Sequence, residues 1–244
     1  MKSLTTPLRS ESLAVQVFKI LQQAIFQGTL KPGETLRELE LARNLNVSQA
    51  TVREAMVQLE HSGLVVRLRN RKSEITRFTK EEVSDRLSMR LVLEEMAAVR
   101  ASRQMTKADL SKLDELSKDI SEAIASGDQM EVTDADVRFH RFIWEKTGSV
   151  ILFNTLDQLA TPLFAFLGIL AKAGMADVRR AKPHNDLVKA IRSGDQEKIR
   201  KSVQDHIGGA YKEFLASGAP SLNALMQTES RELLPAVRPS RNAE

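Results

Sequence analysis

Three features of this 244-residue chain predict a mainly α-helical protein in two parts: an N-terminal winged helix-turn-helix, then a C-terminal antiparallel all-helical bundle of about six helices. The first is a short amphipathic stretch, Ser48 to Leu59, polar at its front and closed by Gly63, with a basic cluster from Arg67 to Lys72 directly after it. A helix of that kind followed by a charged hairpin is the plan of a winged helix-turn-helix. The second is a change after residue 78 to long stretches of 3.6-residue periodicity. The third is uneven charge. Residues 1–78 hold 12 Lys and Arg against 7 Asp and Glu, whereas residues 79–217 hold 21 against 22.

The elements follow in order. Leu13, Val17, Ile20, Leu21 and Ala24 recur at helical spacing, so 12–27 reads as a first helix capped by Ser12 and stopped by Gly28. Lys31-Pro32-Gly33 is a turn. A second helix is predicted over 38–44, with Leu39, Leu41, Ala42 and Leu45 apolar, and Asn46-Val47 turns the chain into the third. Ser48 caps that third helix, which turns Val52, Ala55, Met56 and Leu59 inward and Gln49, Thr51 and Arg53 outward. Two wing strands, 65–68 and 74–76, would flank Asn70-Arg71-Lys72.

From Thr79 the pattern is helical throughout. Thr79 and Glu82 form a capping box that opens a helix to Gln104, and Thr106 caps another ending at Gly127. Further helices are expected over 129–147, 149–173, 183–193 and 195–217, with Pro162 kinking or splitting the second of these. The expected organisation is therefore a flexible N-terminal arm (1–11), a winged domain (12–78), a helical domain (79–217) and a mostly flexible tail (218–244).

Composition narrows the chemistry. There is no cysteine, which removes disulfide frameworks, thiolate metal sites and cysteine nucleophiles. The start lacks a signal-peptide layout. The most apolar stretch, 150–173, is interrupted by Asn154, Asp157, Gln158 and Pro162, so no membrane partner is expected and a cytoplasmic location is.

The second part places polar residues where the pattern asks for apolar ones. Asp136 and His140 share an inward face with Val132, Phe139 and Ile143; His184 joins Leu187, Val188 and Ile191; His206 joins Ile199, Val203 and Ile207. Groups of this kind are unfavourable in a core unless something satisfies them. Asp136 and His140 are one turn apart and project together. His184 and His206 each lie 11 residues from Asp195, at the predicted hairpin turn, so they sit at one level of an antiparallel pair. A backbone carbonyl commonly satisfies a lone core histidine. A carboxylate and three imidazoles converging in a bundle instead make a divalent-metal site, with zinc, nickel or manganese as candidates.

These motifs resemble the GntR family of bacterial transcription regulators, in the subfamily with a C-terminal helical FCD domain. The resemblance runs over about 12–217. Its N-terminal part rests on Leu30 to Glu38, Leu41-Ala42, Val47-Ser48, Val52 to Ala55, Leu59-Glu60 and Gly63-Leu64. Its C-terminal part rests on Arg90 with Glu94, Asp136 with His140, His184, and Gly194-Asp195 with His206. The family implies a homodimer on a palindromic operator in double-stranded DNA, and a domain that senses a small carboxylate effector, often beside a metal. Matched residue by residue, Arg53 takes the place of a guanine-reading arginine, the Asp136, His140, His184 and His206 set that of the metal ligands, and Arg90 that of an effector-binding arginine. An Arg90–Glu94 surface pair is the plain alternative. Gln49 stands where arginine is common, Lys72 where the wing usually has glycine, and Ser149 where asparagine is common.

The expected function is a metabolite-responsive, sequence-specific transcription regulator, most often a repressor in this family. Gln49 and Arg53 would read base edges while Ser48, Thr51, Arg67, Arg69, Arg71 and Lys72 hold phosphates. A metal-dependent helical enzyme is the rival class. The adjacent His-Asp pair of helical phosphohydrolases occurs only reversed, as Asp205-His206, and there is no phosphate loop or dinucleotide fingerprint. A third reading is a purely structural metal with no effector.

Overall fold

The computed structural model describes residues 11–68, 72–172 and 184–216. The expected arm (apart from Glu11), the tail, and the wing residues Arg69 and Arg71 lie outside the described residues.

The N-terminal part is built from α1 (Leu13–Phe26), β1 (Thr35–Leu36), α2 (Glu38–Leu45), α3 (Gln49–His61), β2 (Val65–Arg67) and β3 (Ser73–Ile75). Capping side chains set the helix starts: Ser12 accepts from Val15 N and Ser48 from Thr51 N. Between α2 and α3, Asn46 takes the left-handed conformation at φ 52° that ends one helix and redirects the chain into the next. Val52, Ala55, Met56 and Leu59 of α3 are buried against Val17, Leu21 and Ile25 of α1. Leu13, Ile20 and Leu39, apolar in the sequence pattern, are instead exposed at 58%, 48% and 56%. They lie at the edge of their apolar stripes, where periodicity does not tell core from rim.

Among the described residues the wing has three strands where two are predicted. Their order is β1-β3-β2, all antiparallel, with Leu36 opposite Ser73 and Val66 opposite Glu74. β1 is two residues long and gains its ladder only from β3, so nothing in its own sequence announces it. Leu68 N donates to Lys72 O at 2.8 Å and closes the hairpin base.

The second part holds six helices among the described residues: α4 (Lys80–Ser102), α5 (Lys107–Ser126), α6 (Gln129–Glu145), α7 (Val150–Lys172), α8 (His184–Ser193) and α9 (Gln196–Ala216). Full capping boxes open α4 and α5, pairing Thr79 with Glu82 and Thr106 with Asp109. Helix α4 packs on α9 and α7, α5 on α6 and α8, and α6 on α7. Trp144, Phe139, Ile143, Leu113 and Leu156 fill the centre.

Helix α7 runs through Pro162 as one helix, so the predicted split does not occur. Proline removes the N–H that would reach the Gln158 carbonyl. Arg86 of α4 supplies donors instead: its Nη1 lies 3.1 Å from Gln158 O and 3.2 Å from Leu159 O. The same turn of α7 meets the end of α3. A side chain on Gly63, which sits at φ 72°, would fall 2.9 Å from Gln158 O and 3.0 Å from the Pro162 ring. Glycine at 63 lets the two parts of the molecule approach this closely.

Candidate functional site

Two polar constellations stand out, one on the surface of α3 and one inside the bundle. On the surface, Ser48 spends its hydroxyl on the start of α3, accepting from Thr51 N at 3.1 Å and lying 2.8 Å from Thr51 Oγ1. Gln49 and Arg53, one turn apart, present their side chains beside α2. Gln49 Nε2 and Arg53 Nη2 each lie 3.0 Å from Glu38 Oε2. Arg67 at the wing pairs with Glu60 at 3.6 Å and remains half-exposed, and Lys72 is exposed. The structure thus brings Ser48, Gln49, Thr51 and Arg53 together at one helix front, with Arg67 and Lys72 on the adjoining hairpin. Glu38 was missed by the sequence reading. Its proximity to α3 comes from the α2–α3 packing angle, for which no spacing rule exists.

Inside the bundle, α6 supplies Asp136 and His140 from one face, α8 supplies His184 and α9 supplies His206. All three imidazoles are buried and Asp136 is half-buried. One potential donor atom from each of the four lies within 4.8 Å of every other. His184 Nε2 is 2.7 Å from Asp136 Oδ1, and His140 Nε2 is 3.7 Å from that oxygen and 3.3 Å from His206 Nε2. The His184 and His206 rings are 4.3 Å apart at their centroids, as the equal spacing from the α8–α9 turn predicts.

A second layer fixes this cluster. Glu94 of α4, 2% exposed, is met by three donors: Arg90 Nε at 3.1 Å, Trp144 Nε1 at 3.0 Å and His140 Nδ1 at 3.2–3.3 Å. With Nδ1 turned to Glu94, His140 directs its Nε2 at the other imidazoles. Arg90 is itself buried, with its guanidinium 4.3 Å over the Phe164 ring, which also lies 5.4 Å from His140. The alternative of an Arg90–Glu94 pair on the surface is therefore wrong: both members are in the core. The four-residue spacing of Arg90 and Glu94 showed the pair, and only the bundle packing shows its depth.

The electrostatics follow from this layout. Burial alone would raise the Glu94 carboxyl, but the charges of His140 and Arg90 and the bonds from His140 and Trp144 lower it to about 2. Asp136 follows the same logic. Burial opposes its charge, yet the bond and charge of His184, with His140 and His206 behind it, hold it well below the ordinary carboxylate range. Burial, then the charges of His184 and His140, push His206 well below the ordinary histidine value. The cluster therefore offers an anionic oxygen and a neutral imidazole, the protonation states that metal coordination needs.

A winged head of this design, mounted on a helical bundle, defines a helix-turn-helix transcription regulator. Residues 13–75 match the family described as bacterial regulatory proteins, gntR family, and residues 85–209 match the FCD domain. The chain belongs to the GntR family, in the group that carries an FCD domain.

Similar proteins are regulators too. The HTH-type transcriptional regulator McbR of Escherichia coli K12 is 26% identical over 216 residues, covering 86% of this chain and 98% of McbR. The gluconate operon transcriptional repressor of Bacillus licheniformis is 27% identical over 233 residues, covering 88% and 94%. Among solved structures, E. coli McbR superposes with a TM-score of 0.70 at 26% identity, over 84% of this chain and 100% of that one. A GntR regulator from Rhodococcus sp. RHA1 superposes at 0.66 and 25% identity, over 84% and 98%. The chain is accordingly a DNA-binding transcription regulator and not an enzyme. Among the described residues no helix is long and apolar enough to cross a membrane.

Proposed function

We propose that this protein is a metabolite-responsive regulator, a repressor by default, that binds a palindromic operator as a homodimer in the bacterial cytoplasm. Asp136, His140, His184 and His206 would hold one divalent cation, with zinc the first choice and nickel or manganese the alternatives. The observation that carries the reading is the convergence of those four donors from three helices within 4.8 Å. Their fit is chemical as well as spatial. One carboxylate and three imidazoles are a donor set that divalent first-row cations accept. When bound, the cation would add a concentrated positive charge beside Arg90, and a small carboxylate effector would meet both.

At the other end, Gln49 and Arg53 would read base edges. Ser48, Thr51, Arg67 and Lys72 would grip phosphate, together with Arg69 and Arg71, which fall outside the described residues. Helix α7 is the candidate link: Phe164 lies against Arg90 and His140, and Pro162, two residues earlier, lies beside Gly63 at the end of α3. An effector that favours one setting of α7 would shift DNA affinity by that preference.

The homodimer has a candidate surface. Met89, Val92 and Met96 form an exposed apolar stripe along α4, at 51%, 63% and 55%. Asp85 lies beyond one end and Arg100 and Arg103 beyond the other, all exposed and with no ion pair among the described residues. Two copies of α4 packed antiparallel would cover both stripes and set each Asp85 near the partner's arginines, as an isologous contact requires.

A fluorescence anisotropy titration on duplexes selected from genomic DNA, with and without zinc and small carboxylates, tests the proposal. Tight, sequence-dependent binding that a carboxylate alters is the expected result. A protein indifferent to duplex DNA at low ionic strength would contradict it. A second reading, a purely structural metal, draws on the closed set of four protein donors. A thermal-shift screen in which zinc raises the melting temperature and no carboxylate adds to it would select that reading.

A further inference from the structure

Glu38 lies at the first turn of α2 and takes both proposed base-reading side chains on one oxygen, Oε2, with Gln49 Nε2 and Arg53 Nη2 each at 3.0 Å. Its side chain is 21% exposed and that of Arg53 58%. The hydrogen bond and charge of Arg53, aided by Gln49 and Arg67, outweigh partial burial and hold the Glu38 carboxyl below its usual range. Glu38 is therefore an anion on the face that would approach a polyanion. That placement works against affinity, because the carboxylate repels phosphates and neutralises a cation. Anchoring α2 to α3 would need only an acceptor, which a neutral amide also supplies. The negative charge calls for another role.

We propose that Glu38 is a positioning residue for sequence discrimination, holding Gln49 and Arg53 side by side as a preset pair of base readers. The role rests on the reading of α3 as the base-contacting helix. Three physical effects give it content. An amide facing a carboxylate must present its nitrogen, so Glu38 decides which end of Gln49 is donor and which is acceptor. The second N–H and the Oε1 then remain for the donor–acceptor pattern of adenine. Arg53 gives one of its five N–H groups to Glu38 and keeps the rest of its fork for guanine, with less side-chain freedom left to lose on binding. Finally, at a non-cognate site Arg53 can reach a phosphate only by leaving the carboxylate. The ion pair thus penalises wrong sites more than right ones.

The test compares the full-length wild type with Glu38→Gln and Glu38→Ala, using duplexes selected from a randomised pool and a scrambled control at one salt concentration. Thermal melting runs alongside. Glu38→Gln keeps the size and an acceptor but removes the charge. It should bind scrambled DNA as tightly as the wild type or more so, while the ratio of selected to scrambled affinity falls roughly tenfold. The relaxed base pairs should be those that Arg53→Ala also relaxes, and the salt dependence on scrambled DNA should steepen by about one ion. Should Glu38→Ala melt early, the glutamine variant decides. A folded Glu38→Gln protein with an unchanged affinity ratio and unchanged base preferences overturns the role of Glu38 alone. A wild-type protein with no sequence preference overturns the base-reading assignment of α3, and this role with it.

Discussion

The helix front at α3 and the centre of the bundle use the same materials, carboxylates paired with nitrogen donors, at opposite depths. Arg53 meets Glu38 with 58% and 21% of their side chains exposed, whereas Arg90 meets Glu94 at 3% and 2%. Water screens the first pair, so it can break and re-form when a polyanion arrives, and it adds little to stability. The second pair has no water to replace a lost partner, so removing any member strands a charge. A reversible reading surface suits the first setting, and a rigid chamber for a ligand suits the second.

The sharpest way to break that comparison is Glu94→Ala, which leaves Arg90, Trp144 and His140 without their shared acceptor. We expect about 3–5 kcal/mol of lost stability by urea unfolding. A loss within about 1 kcal/mol, the range of an exposed pair, would erase the distinction between the two regions. At the surface, Arg53→Ala should weaken binding to selected duplexes by about 1–3 kcal/mol with little change in melting temperature. A variant that melts early but binds normally would reverse the assignment.

Acidification sharpens the contrast further. His206 is held below its unfolded value, so as pH falls below about 6.5 the unfolded chain takes up a proton that the folded one refuses. Asp136 and Glu94 are also lowered; their contributions are present above the unfolded carboxylate range and are lost as pH falls through their folded values. Both effects act in one direction. The urea midpoint of metal-free protein should drop between pH 7 and pH 5.5, and His206→Gln should flatten that drop. The smallest expected change is for Lys72→Ala, which should weaken all duplexes alike by well under 1 kcal/mol at moderate salt. Weakening confined to one sequence would move Lys72 from phosphate to base contact.

The sequence was most informative where structure is set locally. Ser12, Ser48, Thr79 and Thr106 marked helix starts because a cap needs only a side chain and an amide three residues on. The histidine cluster was legible for a related reason, since the four-residue step from Asp136 to His140 and the equal arms about Asp195 are rules of helix geometry. What depends on contacts between distant segments was not. Strand β1 exists through its ladder to β3, α7 continues past Pro162 with Arg86 taking the freed carbonyl, and Glu38 meets Gln49 and Arg53 through the packing of α2 on α3.

Metal content tests the central claim most directly. Full-length protein loaded with zinc, dialysed and measured by inductively coupled plasma mass spectrometry should retain one ion per chain. His140→Ala and His206→Ala, folded by circular dichroism, should retain almost none. Wild type and both variants carrying equal zinc, or none, would contradict the account of the buried cluster.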